Sequence, residues 1–305
     1  MSFALTYREI LRACLERGAV ETNHRTGATI KALTSGASFT VPLFAGILPT
    51  CGVRKTKPHI AAAENAWCIL GHDHVDWLRR HTRVWDAFAT IKDCVPCDGE
   101  GSVLHNGVRV STEKCDHCDG TGKTFELPQA YGHRWRHAFG LDQLATGIER
   151  LRIDPSDRRV WISSWHPGDD ILNMGQKTVP CPVGFSLSIL EGRLCSSLMI
   201  RSSDLFMGLP YDTMRHAFLM AAVAASLSVN LGVMRVTLAH PHLYEAHWDH
   251  AHHATTVEPV VPKMLLFSYP ISRIEENPDG YVEDVKDVAS ECEWPAFEPK
   301  LEVVR

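Results

Sequence analysis

With 305 residues, 45% of them apolar and 22% charged, the chain can bury a full core and has room for one large domain plus an insertion. A formal net charge of −5 argues against a nucleic-acid binder that works by neutralising a phosphate backbone, so any phosphate held is expected to be small. Ten cysteines, with no basic-then-apolar leader in Met1–Glu9, read as reduced thiols and metal ligands of a cytoplasmic protein rather than as disulfides.

In chain order, Ile10, Leu11, Cys14 and Leu15 give Tyr7–Arg17 one apolar helical face, which ends at Gly18. The turn Asn23-His24-Arg25-Thr26-Gly27 presents a guanidinium that, taken alone, is more often a surface charge than an anion ligand. Residues 30–53, rich in Thr, Val, Phe and Ile and punctuated by Pro42 and Pro49, read as strands. The helical stretch His59–Leu70 sets Glu64 among Ala61, Ala62, Ala63, Ala66 and Trp67. Burying an ionised carboxylate is costly unless it is paired or protonated, so Glu64 is either a salt-bridged edge residue or an acid–base group. The run Val84-Trp85-Asp86-Ala87-Phe88 could wall a core or a flat ligand.

Residues 91–125 differ in kind. Cys94-Val-Pro-Cys97-Asp-Gly-Glu-Gly is repeated as Cys115-Asp-His-Cys118-Asp-Gly-Thr-Gly, and two such knuckles joined by a hairpin suit tetrahedral four-thiolate zinc. Both halves resemble the Cys-x-x-Cys-x-Gly-x-Gly repeats of J-domain co-chaperones, which implies a zinc-stapled excursion rather than chaperone activity. A catalytic domain of residues 1–90 and 126–305 is therefore expected, interrupted by a zinc insertion over 91–125.

Beyond it, a helix is expected over Leu141–Arg150 and a strand over Val160–Trp165. Of the adjacent Arg158 and Arg159 that lead into this strand, at least one must point away from its own core. The stretch Val179–Thr213 gathers a possible nucleophile, Cys181, an arginine–serine anion site, Arg201-Ser202, and the acidic Asp204 and Asp212. Ala217–Val233 reads as a buried helix, preceded by Arg215 and His216 and too polar to span a membrane. The irregularly spaced His240, His242, His247, His250, His252 and His253 read as a solvated loop, and Glu275–Asp284 as an acidic turn between late strands.

Taken in order, Arg25-Thr-Gly, the Glu64 helix, Trp85-Asp86, Tyr131-Gly-x-x-Trp135-Arg136, Arg158-Arg159, Pro180-Cys181, Arg201-Ser-x-Asp204, Gly208-Leu-Pro210 and His242-Leu-Tyr244 resemble the thymidylate synthase family. The resemblance implies an α+β fold with a large mixed sheet and flanking helices, and a homodimer with shared active sites. It also implies 5,10-methylenetetrahydrofolate as co-substrate and a pyrimidine deoxynucleotide as acceptor. Cys181 would add to C6 of the pyrimidine, activating C5, with nearby arginine favouring its thiolate. Arg25, Arg201 and Ser202, with Arg158 and Arg159 from the other subunit, would hold the phosphate. His242 and Tyr244 would contact the sugar, Asp204 would serve both ligands, Trp85 would pack the pterin, and Glu64 would relay protons.

Asp212 departs from the pattern, because uracil-specific members carry Asn there. An ionised Asp accepts from the N4 amino group of cytosine but cannot donate to O4 of uracil. The family's deoxycytidylate hydroxymethylases, associated with viral DNA modification, carry Asp. Capping of a helix starting at Thr213 is the alternative role. The expected reaction is hydroxymethylation of dCMP, with dCMP methylation, dUMP methylation and a silent nucleotide- or RNA-binding relative as alternatives. Pro182, which replaces the usual His after the nucleophile, and His240, which replaces an acidic residue, are further departures.

Overall fold

The computed structural model describes residues 2–24, 26–105, 108–115, 118, 120–172, 179–301 and 303–304. In chain order the elements are α1 (Phe3–Arg17), β1 (Ala19–Thr22), β2 (Thr29–Ala32), β3 (Ala37–Pro42), α2 (Pro58–Leu70), β4 (Thr90–Asp93), β5 (Ser102–His105), β6 (Val108–Lys114) and β7 (Lys123–Glu126). They continue with α3 (Tyr131–Arg136), α4 (Gln143–Ile153), β8 (Trp161–Ser163), α5 (Pro167–Asp170), β9 (Pro182–Leu190), β10 (Arg193–Ile200), β11 (Ser203–Asp204) and α6 (Gly208–Leu227). The chain closes with β12 (Asn230–Leu238), β13 (Pro241–Tyr244), α7 (Trp248–Thr256), α8 (Ile271–Glu276) and α9 (Pro278–Ser290).

The main sheet has the order β3-β12-β10-β9-β8 and is mixed: β10 and β12 run parallel, the other neighbours antiparallel. A four-stranded sheet, β1-β2-β13-β11, flanks it. Along β10, Leu194, Ser196, Leu198 and Ile200 are buried while Ser197 and Met199 are exposed, the period-two alternation of a strand with one covered face. What covers that face is α6, buried almost continuously from Leu209 to Ala224 and mostly through apolar side chains, Thr213, Arg215 and His216 being the buried polar ones. The expected α+β architecture with a mixed sheet is therefore present.

Helix α2 packs against α6, α3 and α9. Its alanines keep the helices close, and Gly132 of α3 approaches closest: a Cβ built there would lie 2.1 Å from the carbonyl oxygen of Cys68, so only glycine fits. The excursion after α2 enters and leaves through one ladder, β4 against β7, in register from Thr90↔Glu126 to Asp93↔Lys123.

Three expectations are corrected. Ala217–Val233 is not one helix: α6 ends at Leu227, Ser228 turns the chain in the left-handed region at φ 55°, and β12 follows. Glu275–Asp284 is not a turn between strands but the junction of α8 and α9, where the Asn277 side chain accepts from the Gly280 N–H at 3.0 Å. The histidine stretch is not a loop either: it forms β13, a short 3-10 turn and α7, with Ala251 and Ala254 as the buried stripe of the helix. Among the described residues, no helix is long and apolar enough to cross a membrane.

Candidate active site

Glu64 lies within α2 at 7% exposure. Trp85 donates from Nε1 to its Oε1 at 2.8 Å, and the Trp85 ring stands edge-on to Tyr131 at 5.6 Å and tilted against Trp67 at 5.5 Å. Burial pushes the carboxyl above its ordinary range, the positive charge of Arg215 and the indole N–H pull it down, Asp212 adds to the rise, and the net shift is upward. A carboxyl raised in this way can carry a proton nearer neutral pH, as acid–base work requires. The salt-bridged-edge alternative for Glu64 is thus replaced by a buried acid.

Cys181 stands immediately before β9, half-buried and packed against the core. Arg201, just after β10, braces the strand that carries it. The Arg201 backbone N–H donates to the Cys181 carbonyl at 2.9 Å, while Nε and Nη2 reach the carbonyls of Pro180 at 2.9 Å and Val179 at 3.1 Å. The guanidinium carbon is 5.4 Å from the Trp165 ring centroid. One arginine thus braces the backbone of residues 179–181, which carries the thiol into β9.

Asp212 does not cap a helix. α6 begins at Gly208, so Asp212 is its fifth residue, and the capping alternative falls. Its Oδ1 accepts from Nη2 of Arg215, one turn further on, at 2.8 Å, with side chains 19% and 5% exposed. Burial raises the Asp212 carboxyl, Arg215 opposes the rise, and Asp204 adds to it. Arg215 also lies over the Tyr131 ring, 4.6 Å from its centroid.

Tyr131 shows that these groups share one place. Burial is the main cause of the upward shift of its hydroxyl; next come Cys181, which raises it, Arg215, which lowers it, and Asp212 and Glu64, which raise it. The predicted nucleophile, the predicted acid and the predicted base reader therefore act on a single tyrosine, although they come from separate parts of the chain.

The remaining predicted residues divide. β11 pairs with β13 so that Asp204 stands opposite His242, and Oδ1 of Asp204 accepts the N–H groups of Phe206 at 2.9 Å and Met207 at 3.1 Å, which anchors the start of α6. His242 and Tyr244 are buried and meet edge-on at 5.2 Å. Ser202 is half-buried beside Arg201. Arg158 and Arg159 are exposed, Arg159 held to Asp157 at 3.1 Å while its side chain stays 77% exposed. Arg25 lies outside the described residues.

The thymidylate synthase family model matches residues 5–286. The chain belongs to the thymidylate synthase family. Membership makes it a folate-dependent enzyme that transfers a one-carbon unit to C5 of a pyrimidine nucleotide and draws that unit from methylenetetrahydrofolate.

Sequence reasoning assigned no role to several residues of this thymidylate synthase family site. Arg215 was read only as the flank of an apolar run, although an acid and a base three apart inside so apolar a helix signal a buried pair. His216 is buried against Ser196 at 2.7 Å and held neutral, its pKa pushed down to about 3 by burial and by Arg215. Arg54, 3% exposed, donates to the Phe206 carbonyl at 2.6 Å and supports the turn into α6.

In the excursion between β4 and β7, the thiols of Cys94, Cys97, Cys115 and Cys118 are all buried, and their sulfurs lie within 4.8 Å of one another. Cys94 and Cys115 are 3.8 Å apart, Cys97 and Cys118 3.7 Å. Backbone N–H groups of Gly101 and Gly122 point at the sulfurs of Cys97 and Cys118 at 3.2 and 3.3 Å.

Proposed function

We propose that this thymidylate synthase family enzyme transfers the one-carbon unit of 5,10-methylenetetrahydrofolate to C5 of dCMP, giving 5-hydroxymethyl-dCMP. The observation that carries the reading is Asp212: a carboxylate without capping duty, within electrostatic reach of Glu64 and of Tyr131. Oδ1 is occupied by Arg215, and among the described residues no donor reaches Oδ2. That oxygen is suited to accept from the exocyclic amino group of cytosine and unsuited to face O4 of uracil.

In this reading the Cys181 thiolate adds to C6, and C5 attacks the methylene carbon. Loss of the C5 proton and departure of tetrahydrofolate leave an exocyclic methylene; water adds to it, and the C6–S bond breaks. Glu64, with one oxygen held by Trp85, relays protons. Arg201 and Ser202, with Arg25 and the Arg158–Arg159 pair of a second subunit, hold the phosphate in a homodimer. His242 and Tyr244 meet the sugar, and Trp85 and Asp204 border the folate. Methylation of dCMP, with hydride from the folate and dihydrofolate as second product, is the nearest alternative. It is favoured by Trp85 and by a C-terminal segment in which Leu301 packs on the core and Val304 against the Ile30, Ala32 and Tyr244 cluster, a closure that would exclude water.

Incubation with methylenetetrahydrofolate and either dCMP or dUMP, followed by mass spectrometry of the nucleotide, tests the reading. A product heavier by CH2O, without dihydrofolate absorbance, is the expected result from dCMP. A product heavier by CH2 with dihydrofolate selects methylation, and turnover of dUMP alone overturns the choice of base.

The insertion over residues 91–125 is proposed to bind one zinc ion per chain. Tetrahedral four-thiolate zinc, with Zn–S near 2.3 Å, sets sulfur–sulfur edges of about 3.8 Å, a spacing the two cross-knuckle pairs already have. The ion would staple the two knuckles; with all four positions filled by protein it would take no part in catalysis. Elemental analysis should find one equivalent of zinc, lost in Cys97→Ser/Cys118→Ser, with faster proteolysis within the insertion. Full metal content in that variant would rule the ligand set out.

A further inference from the structure

We infer that Arg215 is a specificity-determining residue: it holds Asp212 ionised and aimed, so that α6 reads cytosine rather than uracil. The inference rests on the dCMP reading above. Its basis is the geometry of one helical turn. Asp212 and Arg215 are joined at 2.8 Å, and Arg215 is itself clamped by the Tyr131 ring at 4.6 Å. Arg215 is 4% exposed, and its Nη1 is buried with no hydrogen-bond partner. A buried arginine in this arrangement contributes little net stability, because desolvation offsets the attraction. What it does is oppose the protonation of its partner, which burial and Asp204 favour.

The groups around the pair make Arg215 the deciding one. From α2 come Glu64 and Cys68, from α3 Tyr131, which Cys181 at the head of β9 faces in turn, from β11 Asp204, and from α6 itself His216. Of these, Asp204 acts on Asp212 to favour its protonated form, and Arg215 alone favours the carboxylate. His216 is held neutral by burial and by the same arginine.

The chemical consequence is specific. A protonated carboxyl both donates and accepts, as an asparagine amide does, and so satisfies O4 and N3–H of uracil as well as N4 and N3 of cytosine. An ionised carboxylate only accepts, which leaves uracil O4 facing another acceptor. Discrimination against dUMP therefore depends on keeping Asp212 ionised. The Nη2–Oδ1 bond also fixes the rotation of the carboxylate and leaves Oδ2 as the oxygen available to the base.

Arg215→Gln and Arg215→Lys test this, with kcat/KM for dCMP and dUMP measured across the neutral range. Glutamine can keep a hydrogen bond to Oδ1 but removes the charge, and lysine keeps the charge. The parent should prefer dCMP at every pH in that range. Arg215→Gln should lose at least about tenfold of that preference, and the loss should deepen as pH falls and Asp212 takes up a proton. Arg215→Lys should recover most of the preference and its flat pH profile. A flat, parent-like preference in Arg215→Gln, or an equal loss in Arg215→Lys, would overturn the inference. A parent that prefers dUMP would instead defeat the dCMP reading, so the two failures are distinct. If Arg215→Gln folds too weakly to assay, its melting temperature across pH is the second measurement. Without the arginine, Asp212 has a folded-state pKa raised further above its unfolded value, so the deficit against the parent should grow as pH rises. A deficit independent of pH would count against the assignment as firmly as an unchanged preference.

Discussion

Cys181→Ser is expected to lower turnover by at least about 10⁴-fold while changing nucleotide affinity by no more than about threefold. A hydroxyl ionises far less readily than a thiol, so serine cannot supply a comparable nucleophile at neutral pH. Binding should survive because Arg201 is tied to the main chain here, not to the thiol: its three hydrogen bonds go to the carbonyls of Val179, Pro180 and Cys181. The serine variant keeps all three. Single-turnover assays with dCMP and methylenetetrahydrofolate, paired with calorimetry of nucleotide binding, separate the two effects. Retained turnover would remove Cys181 from the mechanism. Loss of binding along with turnover would mean that the thiol supports the phosphate site rather than the chemistry.

Much of the site was legible because its chemistry is local in sequence. Pro180-Cys181 and Arg201-Ser202 are each adjacent pairs, and the strand hairpin β9–β10 that joins them shows plain alternation. The cysteine knuckles were legible for the same reason: ligand spacing and turn glycines are written consecutively. The start of α6 was not. The sequence places the helix start at Thr213, after Pro210, yet a proline in the first turn of a helix loses no hydrogen bond, since those N–H groups have no partner within the helix. Asn277-Pro278-Asp279-Gly280 misled in the same way, because the residues that make turns also start helices. The coupling of Glu64, Asp212, Arg215 and Cys181 through Tyr131 lies on a further level. It depends on how α2, α3, α6 and β9 pack, and periodicity within one segment carries no record of that. Placing Asp212 inside α6 turned a side chain with two plausible roles into the half-buried member of an ion pair with a buried arginine.

For Asp212→Asn, the expected result is a reversal of substrate preference. The amide can donate to O4 of uracil and accept from N3–H, while its match to cytosine requires facing N3 and N4 with the same two groups in a less favourable arrangement. Sites built around a hydrogen-bonding pattern reject the mismatched partner by roughly 10⁴-fold, so the ratio of kcat/KM for dCMP to that for dUMP should fall by several powers of ten. Two consequences of the Arg215 pair shape the experiment. The amide oxygen can still accept from Nη2, which keeps the side chain oriented, but the guanidinium then stands buried without its counter-charge. Breaking such a pair costs about 3–5 kcal/mol when both groups are fully enclosed, and less here because Asp212 is 19% exposed. A lowered melting temperature should therefore accompany the switch, and Asp212→Asn combined with Arg215→Gln should recover much of it by removing the stranded charge. The decisive readout is the kcat/KM ratio in a competition assay containing both nucleotides, since a ratio measured in one tube does not depend on how much of the variant is folded. An unchanged preference for cytosine would show that the base is read elsewhere and that Asp212 serves only its arginine.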